Sequence, residues 1–341
     1  MRVYLLQIGE VHINVRSFAW HDLIAFYRYR RQIVCTDSSL ALTRGSPASP
    51  LGFLSRLSPS VGFYTCVAAS RDGGDPLIGQ VQYTSGERSA RIAFLMPDES
   101  LSQREIGDLV ESLAIQAGAW GAFHLLAEVE ENSCAMEGLR RSGFSVYAWQ
   151  RIWKYTPPPK RSSNGNNTGA KKSDAGENGN SRWQPASSVD EIMIRNLYQS
   201  LVPPLVQSAE PLSAQRMLGW VYRQEDEILA YVEGIYGPQG IYLQPLIHPG
   251  VEDVVPALAN LLSYQRAQVG RPVYIAVRSY QAWLEPVLRD LEFQVGPRQA
   301  LMVKHLVVQQ RAALQSSRHS VLEKYTAEPT VPMIHNSTVH K

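Results

Sequence analysis

Glu128 and Glu130 alternate along the apolar stretch Leu125 to Glu130. Successive side chains of a strand point to opposite faces, so both carboxylates would share one face, where either could take a proton. His124, just ahead of that stretch, could titrate near neutrality, although a lone histidine is more often a surface residue. The eight histidines are otherwise dispersed, and Cys35, Cys66 and Cys134 lie far apart. They provide no metal ligand set, no CxxC pair and no disulfide framework, so no metal site is expected. No HExxH, GxSxG, Walker or GxGxxG pattern occurs, which removes the metalloprotease, serine-hydrolase and dinucleotide readings. Phe26-Tyr27-Arg28-Tyr29-Arg30-Arg31 interleaves aromatics with cations, as a surface for single-stranded nucleic acid would. On a helix, though, Leu23, Ile24 and Tyr27 would face a sheet while Arg28 and Arg31 point outward, an ordinary amphipathic pattern. No nucleic-acid partner is expected.

The elements that must position these residues occur twice. Ile92 and Ile241, Gly121 and Gly270, and Phe144 and Phe293 are each separated by 149 positions (241 minus 92, 270 minus 121, 293 minus 144), as one duplicated unit would give. In the first copy Val61 to Ala68, Leu77 to Tyr83 and Ala90 to Met96 read as an antiparallel meander. Ile106, Leu109, Val110, Leu113, Ala114 and Ala117 gather on one face of a helix that stops near Gly118. Leu125 to Val129 follows as a strand parallel to Ala90 to Met96, then a helix over 133–142 ending at Gly143, and a strand over 146–154. The second copy repeats the order with strands at 218–222, 228–233 and 241–246, a helix at 252–268, a strand at 273–277, a helix at 283–291 and a strand at 300–306. Helical stretches near 20–30 and 190–200 precede the two meanders. The fold class is α+β, two tandem domains, each a mixed, mostly antiparallel sheet with helices on both faces.

Residues 157–181 contain no aliphatic larger than Ala and no aromatic, so they predict a flexible linker between domains at 1–156 and 182–309. A C-terminal tail at 310–341 is expected to be frayed. Across 341 residues, 33 Lys and Arg against 31 Asp and Glu leave a formal charge of +2, too little for a polyanion-binding coat. Met1 to Glu10 has too short an apolar run for a signal peptide, and nowhere do about 18 apolar residues run together. A cytoplasmic protein with no membrane partner is expected.

This order resembles the acyl-CoA N-acyltransferase fold of the GNAT superfamily, in both halves with the linker excluded. Asn132, Ala135, Gly143 and Phe144 reproduce that family's Asn-x-x-Ala…Gly-Phe spacing, and Ala117-Gly118-Ala119-Trp120-Gly121 resembles its helix exit. In the second half Ser279 and Glu292 stand where Asn and Gly would be.

The resemblance implies acyl transfer from acetyl-CoA or another acyl-CoA to an amine on a small molecule or peptide. A splayed pair of parallel strands would admit the pantetheine, and amides at the start of the central helix would hold the pyrophosphate. Carried onto this chain, cofactor binding falls to Met96, Arg104, Gly107 and Asn132. The phosphate loop fits best as Arg104-Glu105-Ile106-Gly107-Asp108-Leu109, which keeps Arg and the first Gly but places Leu109 at a small position and carboxylates at Glu105 and Asp108. Gly250 to Val255, its counterpart, lacks the Arg. The family's thiolate-protonating Tyr is Leu139 here and Leu288 in the second half, so Tyr147 stands as a substitute acid and Glu130 as the general base. The first half is expected to be the active one. Leu109, Leu139 and Leu288 support the competing expectation, a non-catalytic binding or interaction protein that keeps the fold.

Overall fold

In the computed structural model the strands of the two halves join in one sheet. The structure describes residues 15–47, 61–70, 74–102, 105–156, 182–212, 219–225, 227–269 and 271–306, with backbone alone for 264–269. The expected linker and tail, and Arg104, lie outside the described residues. No described helix is long and apolar enough to cross a membrane.

The first half runs β1 (Val15–Ser17), α1 (Leu23–Arg28), β2 (Val34–Cys35), α2 (Ser38–Arg44), β3 (Val61–Ala68), β4 (Leu77–Thr84), β5 (Ser89–Met96), α3 (Glu105–Ala119), β6 (His124–Glu130), α4 (Cys134–Arg141) and β7 (Ser145–Tyr155). The second runs β8 (Trp183–Pro185), α5 (Glu191–Leu201), α6 (Pro204–Ala209), β9 (Gly219–Gln224), β10 (Glu227–Tyr236), β11 (Ile241–Ile247), α7 (Val254–Val269), β12 (Val273–Arg278), α8 (Leu284–Asp290) and β13 (Gln294–His305). The fold is α+β and mixed, with β3–β4–β5 and β9–β10–β11 as antiparallel meanders. Only the β5/β6 and β11/β12 pairs are parallel among the described strands.

Strand order is β1-β3-β4-β5-β6-β13-β7-β12-β11-β10-β9-β8, with β2 against β5. The last strands are therefore exchanged. β13, from the second half, lies antiparallel between β6 and β7 of the first, and β7 reaches across to pair with β12.

Three of the four apolar clusters among the described residues follow from this order. Leu109, Val110 and Leu113 of α3 pack with Val81 and Ile92 over the first half, while Leu258, Leu261 and Leu262 of α7 pack with Leu243 and Ile275 over the second. On the opposite face, Ile194, Leu197 and Val206 of α5 and α6 pack on Leu126, Tyr147 and Leu301, so this layer draws on both halves. Gly79 on β4 permits the α3 contact, because a Cβ there would meet Leu95, Leu109 and Leu113 at 3.1 Å.

One expected orientation is reversed. Leu23, Ile24 and Tyr27 do not face the sheet: Ile24 is 73% and Tyr27 66% exposed, and Trp20 just ahead is 88% exposed. Ala25, Phe26 and Tyr29 take the inward places, with Phe26 edge-on to Phe18 and Phe94. The cause is local. Asp22 accepts from the Ala19 amide and is gripped by both Arg16 guanidinium nitrogens from β1 at 2.6 Å, which fixes the rotation of the helix that follows.

Candidate functional site

Each parallel strand pair holds together over three residue pairs and then parts. In the first half Ser89, Ala90 and Arg91 face His124, Leu125 and Leu126, after which β5 and β6 diverge. That gap is filled by the chain itself. Val34 and Cys35 pair with Leu95 and Phe94, and Thr36 then spans the opening. Its N–H donates to the Ala93 carbonyl at 3.2 Å, its Oγ1 donates to the Ile92 carbonyl at 2.7 Å, and its own carbonyl accepts from the Glu128 amide at 2.9 Å.

Behind Thr36 the space is aliphatic. Leu101, Leu109 and Leu139 are fully buried, and a Cβ on Gly138 would fall on the Leu101 carbonyl oxygen. In this gap the Ile92 and Ala93 carbonyls of β5 already accept from Thr36. For the first half to act as expected, Thr36 would have to leave this gap before a pantetheine arm could bond to the same carbonyls.

In the second half Ile241, Tyr242 and Leu243 face Val273, Tyr274 and Ile275 before β11 and β12 part. Among the described strands none enters this second gap, since β11 has only β10 and β12 as neighbours. Leu243, Pro245, Leu258, Leu262, Ile275 and Leu288 bound a small apolar cavity on the α7 side. Past the end of β12, buried Gln281 Nε2 donates across to the carbonyl of Ile247, the last residue of β11, at 3.0 Å.

Between the two gaps lies a polar cluster built by both halves. Glu128 accepts from Ser38 N at 3.2 Å, Gln150 Nε2 at 3.0 Å and Arg91 Nη1 at 3.2 Å. The other Arg91 nitrogen, Nη2, donates to Glu210 Oε1 at 3.1 Å, and Tyr147 donates its hydroxyl to the same oxygen at 2.6 Å. Arg278 Nη2 donates to Glu210 Oε2 at 2.9 Å. Asp37, which caps α2 through the Leu40 amide, accepts from Gln82 Nε2 at 2.7 Å. Arg278 is 2% exposed, yet among the described residues its Nε and Nη1 meet no hydrogen-bond acceptor, and Gln150 Oε1 and Gln281 Oε1 meet no donor. Arg91 keeps a third of its side chain exposed, so the cluster reaches solvent on that side.

The surroundings push the two glutamates apart. Burial raises the Glu128 carboxyl above the ordinary range; the Arg91 cation opposes this, and the Asp37 carboxylate adds to it. Burial also acts on Glu210, but Arg278, Arg91 and the Tyr147 hydrogen bond outweigh it and hold that carboxyl down at about 2. Two carboxyls separated in this way can divide proton-holding and charge-holding roles. Burial and then the Glu210 carboxylate push the Tyr147 phenol well above its usual range.

The expected site residues are scattered around this cluster. Tyr147 is inside it, bonded to Glu210. Glu130 lies exposed at the end of β6. Met96 is fully buried at the end of β5, and Gly107 is half-buried in the first turn of α3 with open space where a Cβ would be. Asn132 is exposed in a turn at φ 62°, a left-handed conformation that Asn tolerates better than most residues. Sequence reasoning passed over Arg91, Glu210, Arg278 and Asp37. A cation in the apolar run of β12 was the available signal for Arg278, whereas Glu210 becomes legible only once α6 is docked on β7.

No protein-family model matches the chain, and no curated protein matches it. Among solved structures it is similar to a GCN5-related N-acetyltransferase from Sphaerobacter thermophilus, at 14% identity and a TM-score of 0.45 over 85% of this chain and 95% of that one. A tandem GNAT protein from the clavulanic acid biosynthesis pathway, without AcCoA, is similar at 14% identity and 0.43 over 85% and 98%. A GNAT-family acetyltransferase from Colwellia psychrerythraea is similar at 11% identity and 0.38 over 86% and 99%. The strand order described above, rather than these likenesses, defines the fold.

Proposed function

We propose that the chain is an acyl-CoA-dependent acyltransferase whose donor crevice lies in the second half and whose proton-handling groups come from the first. The single observation that carries this is the contrast between the two gaps: Thr36 closes one, and no described strand enters the other. Bound acyl-CoA would supply an activated thioester. Arg278 and Gln281, both buried at and just past the end of β12, have N–H groups and a carbonyl oxygen without partners among the described residues, which suit the C=O and N–H groups of a pantetheine arm. Glu128, its carboxyl raised by burial above the ordinary carboxylate range, takes the proton from an acceptor ammonium so that a neutral amine can attack. Arg91 and Arg278 hold Glu210 as a carboxylate, leaving Glu128 as the group that titrates.

Calorimetry on the full chain with acetyl-CoA and desulfo-CoA tests the reading. Binding is expected with both; no heat at millimolar ligand would sink it.

A second reading, a non-catalytic binding protein, is favoured by Glu252 and Asp253, exposed carboxylates just ahead of α7 where a pyrophosphate would have to sit. Thiol release from acetyl-CoA with a mixed amine library, lost in Glu128→Gln, would refute it.

A further inference from the structure

We infer that His124 and His305 form a binding site for a divalent transition-metal ion. The two residues are direct cross-strand partners at the seam where β13 of the second half is inserted beside β6 of the first. Their rings meet edge to face, with centroids 4.9 Å apart, and their Nδ1 atoms converge to 3.1 Å. Two imidazole nitrogens, each about 2.0–2.1 Å from one ion, stand about 2.9–3.4 Å apart when the angle at the metal lies between square and tetrahedral. The pair is already at ligand spacing.

In the metal-free pair one Nδ1 carries the proton that the other accepts. An ion held by both Nδ1 atoms requires each ring to carry its proton on Nε2 instead.

His305 is exposed and His124 half-buried, so an ion can enter from solvent. The cation facing His124, Arg88, lies over the Phe123 ring rather than between the imidazoles. Among the described residues no third His, Cys, Asp or Glu joins the pair, so water would complete the coordination sphere. A site of two imidazoles and water selects Cu²⁺, Ni²⁺ or Zn²⁺ over the oxygen-seeking Mg²⁺ and Ca²⁺. The ion would tie β6 to β13 across the two halves.

The test uses the full chain freed of metal by chelation. Calorimetry with Zn²⁺ or Ni²⁺ is expected to show this site as one ion per chain that disappears in both His124→Gln and His305→Gln, with a rise in Tm that follows the same pattern. Mg²⁺ should give neither. In the unaltered chain, substoichiometric Cu²⁺ should broaden the ring resonances of His124 and His305 ahead of those of the other histidines. Binding unchanged in both variants, or broadening confined to other imidazoles, would overturn the inference.

Discussion

Gly143 and Glu292, 149 positions apart (292 minus 143), close α4 and α8 with the same backbone turn. Both residues are left-handed, at φ 89° and 63°. The Gly143 amide donates to the Arg140 carbonyl and Phe144 to Leu139; the Glu292 amide donates to Arg289 and Phe293 to Leu288. This is the Schellman geometry that glycine adopts without steric cost and glutamate does not.

Replacing Glu292 by Gly should therefore raise stability by about 0.5–1 kcal/mol, the left-handed strain relieved less the added freedom of the unfolded chain. Urea denaturation followed by tryptophan fluorescence would read this as a higher midpoint at unchanged slope. A lower midpoint would mean that the Glu292 side chain contributes more than its backbone costs.

Glu210→Gln should destabilise the protein at pH 7 by about 3 kcal/mol, since it leaves Arg91 and Arg278 without their shared carboxylate. The sign of the pH dependence follows from a folded value of about 2. A depressed carboxyl contributes stability above its unfolded value near 4.5 and loses it as pH falls toward 2, so the unaltered chain and the variant should converge there. Glu128 has the opposite sign: its raised carboxyl is an asset in acid and a cost as pH climbs past its folded value. Glu128→Gln should thus be far milder than Glu210→Gln at pH 7. Equal losses would show that the fold depends on the Glu128 carboxylate as much as on that of Glu210. Denaturation midpoints between pH 3 and pH 7 give the comparison.

Gly138→Ala should cost about 1–3 kcal/mol, because the new methyl would fall on the Leu101 carbonyl and push α4 away from the turn at 98–100. Gly107→Ala, in the first turn of α3 with nothing near its Cβ, is the control and should be neutral or stabilising. Parallel thermal melts distinguish the two.

A chain ending before Gln294 should lose protection in the first half as well as the second, because β6 and β7 would both lack their common neighbour. Hydrogen exchange at the amides of Leu125 to Glu130 measures this. Native-like protection there would show that the first half folds unaided.

Much of this architecture was legible in the residues. Val61–Ala68 appears as expected, the helix expected from Ile106 to Gly118 spans Glu105–Ala119, and the 149-residue offset correctly pairs α4 with α8. Apolar spacing carries such information because one face of each element is buried. It does not say which strand a neighbour belongs to. The apolar pattern of β7 or of β13 does not tie either strand to its own half, and only the three-dimensional order reveals the exchange. Nor can periodicity detect Val34–Cys35, a strand of two residues whose importance lies in the Thr36 backbone. Leu23 and Ile24 misled for a related reason: a helical stripe shows that one face is apolar, not that the face is covered.

The exchanged strand also sets an order of events during synthesis. Glu130 leaves the ribosome 175 residues before His305 (305 minus 130), an interval of roughly 10–35 s at about 5–20 residues per second. Throughout that time the nascent first half has an open edge along β6 that no earlier described strand fills, which makes the protein a candidate client for chaperones that shield unpaired strands until translation ends.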